Sequence, residues 1–154
     1  MTPSAAPEPV GSGVAQRLLA DYVAEIERLL GEHRASSPAD AEELSPPAGG
    51  FVVARAEAGT PLGCGGFRRL EEGICEVKRM YVAPDARGRG VGRLLLETIE
   101  AEAAAAGYRL ARLDTAAPLA AAHALYTAAG WREIASYNDN PLASHWFEKE
   151  LSRR

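Results

Sequence analysis

Only two of the 154 residues are cysteine, three are histidine, and aromatic residues make up 6% of the chain. Two cysteines, at 64 and 75, are no disulfide framework, and without clustered histidines they are no zinc site, so no metal is expected. No apolar run approaches the roughly 20 residues that cross a bilayer. The N-terminus also lacks a basic stretch followed by an apolar one, so a cytoplasmic protein without membrane contact is expected. Long runs of lysine or arginine are absent, and a formal net charge of −4 argues against nucleic acid as a partner. What remains is a chain with 47% apolar and 25% charged residues, the proportions of one globular domain with a proper core.

Residues 1–13 are rich in proline and small side chains and read as a flexible tail, leaving 14–154 as a single domain. Over 14–30 the apolar positions recur at helical spacing and Gly31 stops the run. Three β segments follow at 51–57, 61–70 and 73–82, an antiparallel meander whose last turn lies near Glu71-Glu72-Gly73. With Leu70 opposite Gly73, Arg68 falls opposite Cys75, and the two thiols are not cross-strand partners. Further along, 94–106 and 118–129 read as helices and 110–115, 131–134 and 144–151 as strands. The expected fold class is α+β: a mixed, mostly antiparallel central sheet of six to seven strands flanked by about four helices. The helix between strands four and five makes that pair parallel.

Chemistry is declared most plainly at Arg87-Gly88-Arg89-Gly90-Val91-Gly92, between a strand and a helix. Alternate glycines let a backbone turn tightly and bring its N–H groups close to an anion, and the helix start adds its positive end. The spacing is neither G-x-G-x-x-G nor a P-loop, which excludes the two commonest nucleotide signatures. It does fit Arg-x-x-Gly-x-Gly as Arg87, Gly90 and Gly92, after the strand Glu76-Val77-Lys78-Arg79-Met80-Tyr81-Val82. Strand, loop and helix resemble the acetyl-CoA-binding core of GNAT superfamily N-acetyltransferases. A second segment, Ala121 to Trp131, resembles that family's Asn-x-x-Ala-x-x-x-Tyr-x-x-x-Gly-Phe helix, with Tyr126, Gly130 and Trp131 in register and His123 out of line with the asparagine.

The resemblance implies acetyl-CoA as co-substrate, strands four and five splayed around it, and no metal. Backbone groups of Met80, Tyr81 and Val82, at a strand bulge, would meet the pantetheine arm. The loop residues Arg87, Gly88, Arg89, Gly90, Val91, Gly92 and Arg93 would meet the diphosphate. Tyr126 takes the place of the family's acid for the leaving thiolate, and Glu76, on the bulged strand, is the preferred base, with His145 and Asp139 as alternatives. The first helix and the loop before the last strand would hold the acceptor, with Tyr22, Asn138, Asp139 and His145 as its contacts. The implied reaction is direct transfer of acetyl to a primary amine of a small molecule. A peptide or protein N-acetyltransferase and a non-catalytic acyl-CoA-binding regulatory domain are the alternatives. Family members are often dimeric, which makes a homodimer one option beside a monomer.

Overall fold

The computed structural model of the chain describes residues 2–31, 39–116 and 120–152. Seven strands form one sheet: β1 (Ser4–Pro7), β2 (Gly50–Arg55), β3 (Pro61–Glu71), β4 (Ile74–Val82), β5 (Leu110–Thr115), β6 (Arg132–Ile134) and β7 (His145–Glu150). Their order is β1-β2-β3-β4-β5-β7-β6, and β4 with β5 is the parallel pair. Four helices accompany them: α1 (Gly13–Leu30), α2 (Ala39–Glu43), α3 (Val91–Ala105) and α4 (Ala120–Ala128). The expected segment 118–129 begins partly outside the described residues. No helix is long and apolar enough to cross a membrane among the residues described.

The segment read as a tail is partly a strand. Ser4 to Pro7 pair with Arg55 to Val52, so the prolines bound an edge strand, where a missing N–H costs no ladder bond on the open side. Val10 is buried, and the Ser12 hydroxyl accepts from Ala15 N at 3.0 Å, capping α1. At its other end α1 stops at Gly31 in the left-handed conformation.

Alternation along β2 assigns the two faces. Phe51 and Val53 turn toward α1, joining Leu18, Leu19, Cys64 and Tyr81, while Val52 and Ala54 turn toward α3, joining Leu95, Leu96 and Ile99. The three α3 side chains are fully buried, each contributing roughly 1.5–3 kcal/mol by leaving water. Cys64 and Cys75 sit in clusters on opposite faces of the sheet, which excludes a bond between them. Burial pushes each thiol up to about 12, so neither is a reactive thiolate.

The β3–β4 hairpin is slipped by one residue from expectation. Glu71 opposes Ile74 across a two-residue turn with Gly73 at φ 76°, and a register shift at Leu70 then sets Arg69 opposite Cys75 and Arg68 opposite Glu76. Further along, Cys64 and Gly66 oppose Tyr81 and Lys78, leaving Arg79 and Met80 against the single Gly65. This is the bulge, centred slightly before the expected 80–82, with Arg79 at φ 62°.

Close approach at the bulge demands glycine on β3. A Cβ on Gly63 would stand 2.4 Å from the Tyr81 carbonyl oxygen, a backbone atom that cannot swing aside. Gly63→Ala is therefore expected to lower unfolding stability by about 1–3 kcal/mol in urea titration; an unchanged midpoint would show that β3 and β4 pack less tightly than described.

Candidate active site

Parallel pairing of β4 with β5 is confined to Ile74 with Leu110, Cys75 with Ala111 and Glu76 with Arg112. Beyond Glu76 the strands part, β4 held by β3 and β5 by β7 as far as Thr115 opposite His145. Over 77–82 the edge of β4 thus has no β5 residue in register with it. Arg79, a non-glycine in the left-handed region at a cost of about 1–3 kcal/mol, kinks β4 within this stretch. A cavity of about 260 Å³ occupies the opening, with Tyr22 on α1, Arg79 and Met80 on β4, Asp114 on β5, Tyr126 on α4 and Asn140 from the β6–β7 loop among its walls. Crevices outside the carboxyl ends of parallel strands are where such sheets bind ligands.

Glu76 lies below this opening and does not line it. Its side chain is 3% exposed and bound on every side: Arg68 Nη2 at 2.8 Å and Nε at 2.9 Å on Oε1, the Tyr137 hydroxyl at 2.6 Å on Oε2, and Lys78 Nζ at 3.7 Å. Burial would raise its pKa, but Lys78, the Tyr137 hydroxyl and Arg68 together outweigh burial and hold the carboxyl below its ordinary value. An ionised, ion-paired carboxylate outside the cavity is a poor proton acceptor. Glu76, expected as the base, is held instead in an ion pair, and the register of the hairpin, which sets Arg68 opposite it, is the reason. Arg68 continues to Glu43 at 2.6 Å, and the Arg112 guanidinium lies 5.7 Å above the Tyr137 ring.

The glycine loop leaves β4 through a single 3₁₀ turn, Pro84–Ala86, and enters α3 at Val91. Gly88 and Gly90 have φ 79° and 80°, with open space where a Cβ would stand, and no side chain caps the helix. First-turn N–H groups of a helix have no acceptor within it, so α3 presents donors and a positive end suited to a diphosphate. Gly92 serves packing instead, since a Cβ there would meet Leu125 at 3.1 Å and its bareness lets α3 and α4 approach. Arg87 does not reach for an anion. Its Nε donates to the Val82 carbonyl at 2.9 Å and its guanidinium pairs with Glu25 on α1. Arg93 bonds Glu97 and the Ala128 carbonyl, and Arg89 is exposed.

Tyr126 packs its ring on Trp131 and Phe147 at 6.1 and 5.8 Å between centroids, and only 5% of the residue is exposed. Burial, with Tyr22 and Asp114 adding, keeps its phenol protonated far above neutrality. Tyr22 lies under the Arg79 guanidinium, 5.9 Å from ring centroid to Cζ. Asp114 Oδ2 accepts from Asn138 Nδ2 at 2.7 Å and Asn140 Nδ2 at 3.3 Å, while Asn138 Oδ1 accepts from Trp146 Nε1 at 2.9 Å. The polar loop after β6 is thereby folded onto the end of β5.

Of the residues expected from sequence, the cavity brings together Tyr22, Met80 and Tyr126. Tyr81 is buried against α1, leaving only its backbone for a ligand, and the Val82 carbonyl is taken by Arg87. Asn138 orients Asp114, Asp139 is exposed, and His145 faces Glu133 at 2.7 Å, away from the cavity walls. Asp114 was missed although it stands in the segment Leu113-Asp114-Thr115. Alternating burial along β5 marks a strand, but nothing local says that its end has lost a neighbour.

A family model described as the acetyltransferase (GNAT) family matches residues 18–131. An IAA acetyltransferase of Azospirillum brasilense is 38% identical over 143 residues, 88% of this chain and 92% of the relative. The crystal structure of a Klebsiella pneumoniae protein assigned to the acyl-CoA N-acyltransferases superposes with a TM-score of 0.81 at 30% identity, covering 98% and 99% of the two chains. N-acetylglutamate synthase of Neisseria gonorrhoeae, solved with coenzyme A and N-acetyl-glutamate, shares the fold at a TM-score of 0.73 and 19% identity, over 97% of this chain and 35% of its own.

Glu76 gives a pH signature. Because its native pKa is depressed, its contribution is fully present above the ordinary value of 4.5 and is lost as pH falls through the native one. Glu76→Gln should cost about 2 kcal/mol at neutral pH, less than the ~3–5 kcal/mol of a fully buried pair because Arg68 retains Glu43 and some solvent. Chemical denaturation of both proteins should show the difference shrinking as the solution is acidified below that value; a constant gap would mean that the charge of Glu76 is not what stabilises the fold.

Proposed function

The chain belongs to the GNAT acetyltransferase family and is an acyl-CoA-dependent N-acetyltransferase, and from that premise we propose that it moves acetyl from acetyl-CoA to the primary amine of a small molecule in a ternary complex. The observation that carries this reading is one cavity, at the parting of β4 and β5, walled by both a carboxylate, Asp114, and a protonated phenol, Tyr126. Acetyl-CoA supplies the acyl group as a thioester. What is left to the protein is to orient an amine, remove its proton, stabilise a developing oxyanion and protonate a thiolate.

Each of these roles has a group. The edge of β4 around Met80, where β5 has parted from it, offers backbone N–H groups to the thioester oxygen, and the start of α3 with Gly88 and Gly90 offers donors to the diphosphate. Asp114 attracts the ammonium of the acceptor and takes its proton, leaving the neutral nucleophile. As the new C–N bond forms and the C–S bond breaks, Tyr126 gives its proton to the departing sulfur. Asn138 and Asn140 converge on one oxygen of Asp114 and leave the other for the acceptor. Glu76 is a positioning residue in this scheme: it fixes where the strands part. The small-acceptor reading is supported by the β6–β7 loop, which is tied to β5 through Ser144 N to Thr115 O at 2.9 Å and puts Asn140, Leu142 and Ala143 into the cavity walls.

Tyr126→Phe is expected to lower kcat by roughly 10²-fold or more with the melting temperature of the acetyl-CoA complex preserved. Asp114→Asn should depress kcat/KM strongly, whereas Glu76→Gln should depress it far less. Thiol release measured over a panel of small amines and short peptides decides the acceptor. Turnover of peptides with none of small amines would overturn the small-molecule reading, and an unaltered kcat/KM in Asp114→Asn would move the base elsewhere. Gly90→Val forces a β-branched residue to φ 80° and should abolish the rise in melting temperature caused by acetyl-CoA.

A further inference from the structure

Away from the cavity, three groups from three elements converge: His123 on α4, Glu133 on β6 and His145 at the start of β7. Glu133 pairs with Phe147, which puts His145 diagonally beside it on the same face of the sheet, and α4 lays His123 over both. His145 Nδ1 is 2.7 Å from one carboxylate oxygen of Glu133, and His123 Nε2 is 3.7 Å from the other. The two imidazoles stand at 4.5 Å between centroids, tilted by 70°. One ligating atom from each residue lies within 4.8 Å of the other two. Ligands around a tetrahedral zinc ion, with bonds near 2.05 Å, stand about 3.3 Å apart, so small side-chain rotations bring all three to one centre.

We infer that His123, Glu133 and His145 form a site for one divalent transition-metal ion of the zinc type, with water completing its coordination. The donor set is chemically apt: two imidazoles and a single carboxylate suit zinc or nickel and disfavour magnesium and calcium, which take oxygen ligands. Access is open, since the side chains are 36%, 50% and 33% exposed. The Phe147 ring, 5.1 Å from that of His123 by centroids, backs the histidine and limits its rotation. An ion here ties α4 to the β6–β7 pair. His123 is one turn before Tyr126, and Phe147 touches both rings, so the ion braces the helix that carries the phenol without entering the cavity. The expectation of no metal rested on histidines distant in sequence; the fold removes that distance.

Zinc chloride titrated calorimetrically into the chelator-stripped full chain is expected to show one ion bound per chain. Losing an outer-shell partner of a metal typically costs ten- to a hundredfold in affinity, so loss of a direct ligand in His123→Ala or His145→Ala should weaken binding by at least about tenfold. Replacement of the chain's third histidine, His33→Ala, should change nothing. Glu133→Gln, a change at an exposed side chain, guards against misfolding and should also weaken binding, and cobalt(II) should give a four-coordinate absorption spectrum that the double histidine variant lacks. Failure of the wild-type chain to bind zinc, equal binding by the double variant, or a loss that follows His33 would each overturn the site and reduce the trio to a histidine–carboxylate hydrogen bond.

Discussion

A carboxylate only 2% exposed persists in a folded protein because cations and donors surround it, and Glu76 meets that condition at the point where two strands separate. Arg68 reaches it from β3, Lys78 from its own strand, and Tyr137 from the loop after β6. Three parts of the molecule, of which β4 and the β6–β7 loop border the cavity, are therefore fastened to one charge. Parallel pairing ends at that residue, opposite Arg112, and everything that makes a site lies above it: the bared edge of β4, the end of β5 and the loop folded onto it.

Separation alone would give a cleft without direction. The bulge at Arg79 and Met80 turns the β4 edge, and Gly63 and Gly65 on β3 give it room, since a Cβ on the latter would meet Met80 Sδ at 2.6 Å. Arg87 then anchors the outgoing loop to the Val82 carbonyl and to Glu25 on α1, so the start of α3 is delivered at a fixed place relative to the strand end. Gly92 lets α4 pack against α3, which brings Tyr126 over the opening from the far side. The groups proposed to react thus sit on rigid elements, and the proposed acceptor side depends on a loop whose asparagines bind Asp114, Trp146 and the backbone of Leu142. That division suits a site whose donor is constant and whose acceptor is chosen by loop residues.

Features encoded in short range were legible in the sequence. The glycine loop carries its own φ requirements and precedes its helix by one residue, and Tyr126 keeps a fixed spacing to Gly130 and Trp131 on and after one helix. The parallel pair followed from the helix between β4 and β5, and the β2-β3-β4 meander from its short connections; the insertion of β7 between β5 and β6 did not. Features set by register or by distant packing were not. The turn at Glu72-Gly73 and the register shift at Leu70 together moved Arg68 from opposite Cys75 to opposite Glu76, where it braces the carboxylate expected as the base. Asp114 acquires its place only because β4 has turned away from β5. Prolines hid β1, since its ladder bonds are made on one edge alone, and His123 and His145 are neighbours only in the fold.

In the proposed arrangement the edge of β4 beyond Glu76 receives the acyl-CoA thioester while the start of α3 receives its diphosphate. Amide hydrogen exchange on the full chain, with and without unreactive coenzyme A, tests that arrangement most directly, because the peptide groups of these two segments are themselves the probes. The prediction is slowed exchange across 77–82 and 88–93 when coenzyme A is present, with 50–55 on the far side of the sheet unchanged. Exchange at 77–82 that is indifferent to coenzyme A, with protection appearing elsewhere in the chain, would contradict it.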